Sequence, residues 1–317
     1  MREHTRKQIE VHLHTNDNCN LKCIHCYNRS GEKTVCSVPN IDCLLELIQY
    51  FCTEYDAEIH LEGGEIFLRP ELLSAMNCLP IEMLQCITIT TNGTICIEEP
   101  ETIAMLKKIH ALRVSVEGHT DEQQYFVRGI TLKNVVGNAL FYKNKGIPVW
   151  MRLTMTCQNW EHLLDSTLPY YINLGFLNFQ IYEFQTVGRG EKNKSLLAVS
   201  DDAFVSFLEK LKVWKGFCEK TDLQIRFMFS RIRQETIHSY KEQLEQNNFK
   251  VKDIPQENGV SIHADGSVYL CAWDNEKSHC ILNVYNEGLR QMTVLFEHMC
   301  LTHQCSHCSA VRIMLSS

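Results

Sequence analysis

The chain has 317 residues, with 38 acidic against 31 basic side chains, a net charge of -7 and 44% hydrophobic content. That size supports one large domain with a small appendage, and the acidic balance gives no reason to expect nucleic acid or an anionic membrane as partner. No apolar run approaches the roughly 20 residues of a membrane span. The polar start, Met1 to Gln8, lacks the apolar stretch of a secretion signal, so the 16 cysteines indicate a reducing cytoplasm and metal ligation, not a disulfide framework.

In chain order, Ile9 to His14 reads as a first strand, with His12 and His14 at alternate positions and one of them expected to face inward. It leads into a loop carrying Cys19, Cys23 and Cys26 at C-x3-C-x2-C spacing. Three thiolates on one loop with no near fourth suit an iron–sulfur cluster with one iron left open, or zinc completed from elsewhere. His25 is not needed as a ligand. Pro39 then opens a helix to about Glu54. Glu58 to Leu61 is a strand running into Gly63-Gly64-Glu65, and Cys86 to Thr90 is a strand before Thr91-Asn92-Gly93-Thr94. A helix over Glu98 to Lys108 precedes the strand Ala111 to Val116, which ends in Ser115-Val116-Glu117-Gly118. Next come Arg128-Gly129, a helix from Leu132 to Lys145 closed by Gly146, and strands Pro148 to Met155 and Asn178 to Phe184.

Six strand–helix units form an open α/β barrel, a partial (β/α)6 barrel over residues 1–190. In parallel α/β sheets chemistry lies outside the carboxyl ends of the strands. Each of these motifs falls at or just after a predicted strand, so all converge on one face. Residues 191–258 read as a mainly helical bridge with Phe204, Phe207, Leu208 and Leu211 as a core stripe and a strand at Gln224 to Phe229. Residues 259–317 form a small cysteine-bearing domain: a hairpin over Val260 to Leu270, then Cys271, Cys280, Cys300, Cys305 and Cys308. The cysteines at 36, 43, 52, 78, 86, 96 and 157 read as buried apolar residues.

The cysteine loop, with Tyr27 directly after its third cysteine, resembles the signature loop of the radical S-adenosylmethionine (radical SAM) superfamily, and the motifs that follow come in that family's order. Gly188-Arg189-Gly190 completes the series. The resemblance implies a [4Fe–4S] cluster on Cys19, Cys23 and Cys26, with SAM chelating the open iron. It implies that Gly63, Gly64 and Glu65 contact the methionyl amine. Ser115 and Glu117 reach the ribose or carboxylate, although the family commonly has Asp at the position of Glu117. Arg152 is the cationic partner of the SAM carboxylate, with Arg128 a second candidate. Tyr27 and Asn92 complete the cofactor site.

The C-terminal region resembles the auxiliary-cluster (twitch, or truncated SPASM) domain of peptide-modifying members. That implies a second [4Fe–4S] cluster on Cys271, Cys305 and Cys308, with Cys280 or Cys300 as the fourth ligand, or zinc in its place. Cys218 is a candidate hydrogen-atom donor, as in peptide epimerases, against the alternative of an inert helix-end cysteine.

The leading expectation is an enzyme that abstracts a hydrogen from a ribosomally made precursor peptide, leading to epimerisation or crosslinking. Its implied partners are that peptide and a flavodoxin- or ferredoxin-type electron donor. Because the cysteine loop begins so early, a separate leader-binding protein is a further expected partner. The alternatives are a dehydrogenase or dehydratase of a sugar or aminocyclitol, and a non-catalytic metal scaffold. Glu65 and Arg152 together argue against the scaffold.

Overall fold

The computed structural model describes residues 6–32, 36–218, 223–232, 240–242, 244–246, 249–253, 259–271, 274, 277–298 and 311–315. Its strands are β1 (Gln8–His14), β2 (Asp56–Glu62), β3 (Ile87–Thr91), β4 (Ala111–Val116), β5 (Val149–Met155), β6 (Asn178–Glu183), β7 (Arg226–Ile232), β8 (Lys250–Asp253), β9 (Gly259–Ile262), β10 (Ser267–Tyr269), β11 (Leu282–Asn283) and β12 (Val311–Leu315). Strands β1 to β7 lie side by side, each parallel to the next. Six such strands are expected from the sequence. The seventh is the segment assigned to the bridge, and it pairs with β6 over Asn178–Arg226 to Tyr182–Ser230. Helix within residues 200–247 is confined at its start to Asp201–Cys218, because that helix is the crossover feeding β7.

The expected hairpin is present as β9 and β10. It does not stand apart, since β9 pairs in parallel with β1 and so extends the same sheet. At the other edge β12 adds antiparallel to β7, and β8 antiparallel to β12.

The two faces of the parallel strands differ in kind. One is apolar: Val11 and Leu13, Ile59 and Leu61, Ile87 and Ile89, Leu112 and Val114, Met151 and Leu153, Phe179 and Ile181 are all buried. They join one core with the helices, Leu44, Leu47, Ile48 and Phe51 of Ile41–Glu54 among them. Asn40 caps that helix by accepting from the Asp42 amide at 2.8 Å. The opposite face carries His12, His14, His60, Thr88, Arg113, Gln180, Ser230 and Ser261, which are also buried. Parallel strands covered on both sides normally read as continuous apolar runs. Here strict alternation builds a polar bore.

None of the seven cysteines expected to be buried is fully so, although Cys52 packs against the core. Cys78 and Cys157 are exposed, while Cys36, Cys43, Cys52, Cys86 and Cys96 are half-buried, because they fall on helix rims and loops, not on the apolar strand faces.

Candidate active site

One cavity opens at the carboxyl edge of the sheet. Its wall includes Cys19, Cys23, His25, Cys26 and Tyr27 after β1, Glu62, Gly63 and Gly64 after β2, and Asn92 after β3. Ser115, Arg128, Arg152, Tyr182 and Glu183 close it. Parallel strands bring segments distant in sequence to one rim, and this produces the convergence that the motifs indicated.

The cysteine loop is held by its neighbours' backbones. The Gly64 and Glu65 amides donate to the Asn16 and Asn18 carbonyls at 2.8 and 2.7 Å. A side chain on Gly64 would overlap the Asn18 carbonyl, so only glycine permits this approach. From the far side, the Arg189 amide donates to the Cys26 carbonyl at 2.9 Å and its guanidinium to the Cys23 carbonyl at 2.7 Å. Asn193 reaches the Ile24 carbonyl at 2.9 Å. Gly188, at φ 60°, lies where a Cβ would meet the Cys26 and Tyr27 carbonyls. The motif Gly188-Arg189-Gly190 is therefore the clamp on the loop, a role the sequence alone did not reveal.

Donors also surround the sulfurs. The Leu21 amide lies 3.4 Å from Cys19 Sγ, Asn92 Nδ2 3.8 Å from the same sulfur, and Arg128 Nη1 3.9 Å from Cys23 Sγ. Burial pushes the Cys23 thiol up to about 11, with Arg128 pulling the other way. A metal ion would reverse that balance, because a coordinating thiol is deprotonated.

Several expected contacts are redistributed. Glu65 does not line the cavity. Its buried carboxylate accepts from the Phe67 amide at 3.0 Å, Thr91 Oγ1 at 2.7 Å and the Asn92 amide at 2.7 Å, tying the β2 loop to the β3 loop. Burial pushes its pKa up against those three donors. Glu117 is likewise behind the wall. Its Oε1 meets Arg128 Nη2 at 2.6 Å and His25 Nε2 at 2.9 Å. Burial raises the Glu117 carboxyl, but His25 and Arg128 outweigh it and the group is held below its usual range. Burial also depresses His25 despite the carboxylate. Arg152 does face the cavity. Its guanidinium stacks 4.6 Å from the Tyr182 ring centre and makes no hydrogen bond or ion pair among the described residues. Tyr27 donates to Glu62 Oε2 at 2.8 Å.

Cys218 is not brought to this site. It ends the crossover helix that returns from β6 to the start of parallel β7, which places it at the amino edge of the sheet, packed on the core. Cys271 is buried directly after β10, and Cys280, half-buried, precedes β11 with its Sγ 3.2 Å from the Leu282 carbonyl. Cys300, Cys305 and Cys308 lie outside the described residues.

Residues 13–167 match the family model described as the Radical SAM superfamily. Among curated proteins, a pre-heme d1 synthase of Dinoroseobacter shibae is 29% identical over 188 residues, 56% of this chain and 43% of the relative. A GTP 3',8-cyclase of Listeria welshimeri is 27% identical over 183 residues, 53% of each chain. The chain thus spans about half the length of the curated relatives it matches. Among solved structures, Streptococcus suis SuiB bound to precursor peptide SuiA superposes with a TM-score of 0.71 at 15% identity, over 96% of this chain and 70% of that one. Native anSMEcpe with bound AdoMet and Cp18Cys peptide gives 0.63 at 16% identity, over 90% and 80%. These likenesses establish a shared fold. No helix among the described residues is long and apolar enough to cross a membrane.

Proposed function

Taking as premise that the chain belongs to the radical SAM superfamily, we propose that it abstracts a hydrogen from a ribosomally made peptide and so modifies it after translation. The superfamily implies a [4Fe–4S] cluster and SAM, and the donor set fits them: three thiols on one wall, donors against two of the sulfurs, and Arg152 facing in without an ion pair among the described residues. Cys19, Cys23 and Cys26 would hold the cluster and leave one iron for SAM. When bound, that pair supplies one-electron cleavage of a carbon–sulfur bond.

The protein's part is binding and orientation. Arg152 offers a guanidinium suited to the SAM carboxylate. Gly63 and Gly64 admit the cofactor to their backbone, and Ser115 faces the same space. Glu65, Glu117, Arg128 and Arg189 hold the loops that present these groups. Asn92 bridges Cys19 and Asn20, the latter at 2.8 Å. A second cluster is part of the proposal, supported by Cys271 and Cys280 flanking the β10–β11 pair. A low-potential flavodoxin or ferredoxin is the proposed electron donor.

The observation carrying the peptide reading is the fold shared over 96% of the chain with an enzyme crystallised on its precursor peptide. With Cys218 at the far edge, crosslinking or dehydrogenation is favoured over epimerisation. The second reading, a small-molecule substrate, is supported by the GTP cyclase and heme synthase relatives. Co-production of the enzyme with a short peptide encoded beside its gene, followed by mass spectrometry, separates them. A peptide lighter by a hydrogen pair supports crosslinking or dehydrogenation, and unchanged mass with a D-residue supports epimerisation. An unmodified peptide, with conversion of a nucleotide or sugar instead, overturns the peptide reading.

A further inference from the structure

The polar bore holds a connected set of ionisable groups that SAM binding does not use. On β1 and β2 the register sets Glu10 beside Glu58, His12 beside His60, and His14 beside Glu62. His12 Nδ1 lies 3.4 Å from Glu62 Oε1, and its Nε2 lies 3.3 Å from Glu10 Oε1. Glu62 lines the cavity at the carboxyl edge, while Glu10 lies near the amino end of β1 with its side chain 18% exposed. One imidazole thus stands between a carboxylate in the cavity, at ion-pair distance from its Nδ1 without a formed hydrogen bond, and a carboxylate that meets solvent at the opposite edge.

The neighbours fix this arrangement. His60 stacks on His12 with ring centres 4.9 Å apart and brings Nε2 to 3.2 Å from Glu10. Arg113 Nη1 lies 2.8 Å from His60 Nδ1, and a guanidinium can only donate, so His60 keeps its proton on Nε2, toward Glu10. Glu10, His12 and His60 also have the spacing of a metal site, their ligand atoms lying within 4.8 Å. Arg113 decides against that. A ligating histidine usually donates from its other nitrogen to an acceptor, and here that nitrogen faces a donor and a buried positive charge. Thr88, Gln180, Ser230 and Ser261 add buried polar atoms without a hydrogen-bond partner along the bore.

We propose that Glu62, His12 and Glu10 form a proton relay between the reaction cavity and solvent at the amino edge of the barrel. This rests on reading the cavity as the reaction chamber. Losing hydrogen to form a crosslink or double bond requires a proton to leave the cavity, and water at the cavity mouth would compete with the radical chemistry. In the relay the ring starts with its proton on Nε2. Glu62 passes a proton to Nδ1 as Nε2 gives its proton to Glu10, which returns it to water, and reorientation of the ring restores the starting tautomer before the next turnover. One proton enters, one leaves, and no electron moves. Burial disfavours a charged His12, but Glu62 and Glu10 outweigh it and hold its pKa above the ordinary value of 6.5. His60 and Ser261 flank His12 on the neighbouring strands, while Arg113 acts on His60 and Arg152 on Glu62.

The test uses the reconstituted full chain with Glu10→Gln and His12→Gln, assayed on the modified peptide in H2O and D2O across neutral pH. Both variants should lose about 10- to 100-fold in kcat with KM kept, show a larger solvent isotope effect, and, for Glu10→Gln, recover on addition of a small carboxylic acid such as formate. A Glu10→Gln variant with unchanged kcat, isotope effect and pH profile overturns the relay. If wild type modifies no peptide, the proposed function fails, and ¹⁵N-histidine NMR still decides the relay. His12 should hold its proton more tightly than an ordinary imidazole and lose proton affinity in both Glu10→Gln and Glu62→Gln. Indifference to either substitution overturns it.

Discussion

Arg128 meets Glu117 at 2.6 Å with both side chains buried, and the same guanidinium reaches to 3.9 Å from Cys23 Sγ. The pair joins the end of β4 to the cysteine loop. A cation beside a sulfur ligand favours thiolate, while Glu117 keeps that cation in place. The acid that the sequence suggested for the ribose is thus used to orient a base.

Glu117→Ala should therefore destabilise the protein strongly. Removing one partner of a buried pair leaves an uncompensated charge and costs about 3–5 kcal/mol. Urea unfolding of the variant should show the loss, and iron retention on reconstitution should fall with it. A change below about 1 kcal/mol would mean that the pair is solvated.

The same group sets an acid limb. Glu117 and Glu62 are both held below the usual 4.5. Their stabilisation is complete above that value and is lost as pH falls through the lower folded values. Glu65 is shifted upward and has the opposite sign. The melting temperature should drop below pH 4.5, and Glu117→Gln, though less stable at neutral pH, should show a shallower decline there. Parallel acid limbs in wild type and variant would contradict this.

Arg152→Ala should separate binding from folding. The guanidinium stacks on the Tyr182 ring and makes no hydrogen bond or ion pair among the described residues, so thermal stability should change little. SAM affinity should fall by about 2–5 kcal/mol, tens- to thousands-fold, as read by equilibrium dialysis of the reconstituted protein. Unchanged affinity would remove Arg152 from the cofactor site.

Glu65→Gln should behave differently. An amide retains one acceptor oxygen and turns a donor toward groups that already donate, so the variant should lose about 1.5–3 kcal/mol for each charge-assisted bond lost. Weakened SAM binding should accompany the lower melting temperature. Weakened binding at full stability would instead place Glu65 on the cofactor.

Replacing Cys19, Cys23 and Cys26 together with alanine should abolish 5′-deoxyadenosine formation under dithionite and remove about half of the iron if a second cluster is present. Residual SAM cleavage would refute the assignment of the loop.

Much of this was legible in the sequence. The cysteine loop, the six strands and the placement of each motif at a strand end follow from local spacing and period, because a loop ligand set and a strand–turn boundary are properties of neighbouring residues. The polar alternation in Glu10-Val-His12-Leu-His14 and in Glu58-Ile-His60-Leu-Glu62 was also visible, but not its consequence. Which side chains meet depends on register, and only the β1–β2 pairing puts His12 against His60 and within reach of Glu62. The division of labour among the acids was likewise a tertiary matter. Glu65, Glu117 and Arg152 are equally plausible ligands in one dimension. In the fold two of them are consumed by donors from other segments, and Arg152 keeps its guanidinium for the cavity. Cys218 shows the same limit from the other side. Its sequence position between helix and strand is compatible with either edge of the sheet, and the parallel pairing of β7 with β6 sends it to the edge away from the chemistry.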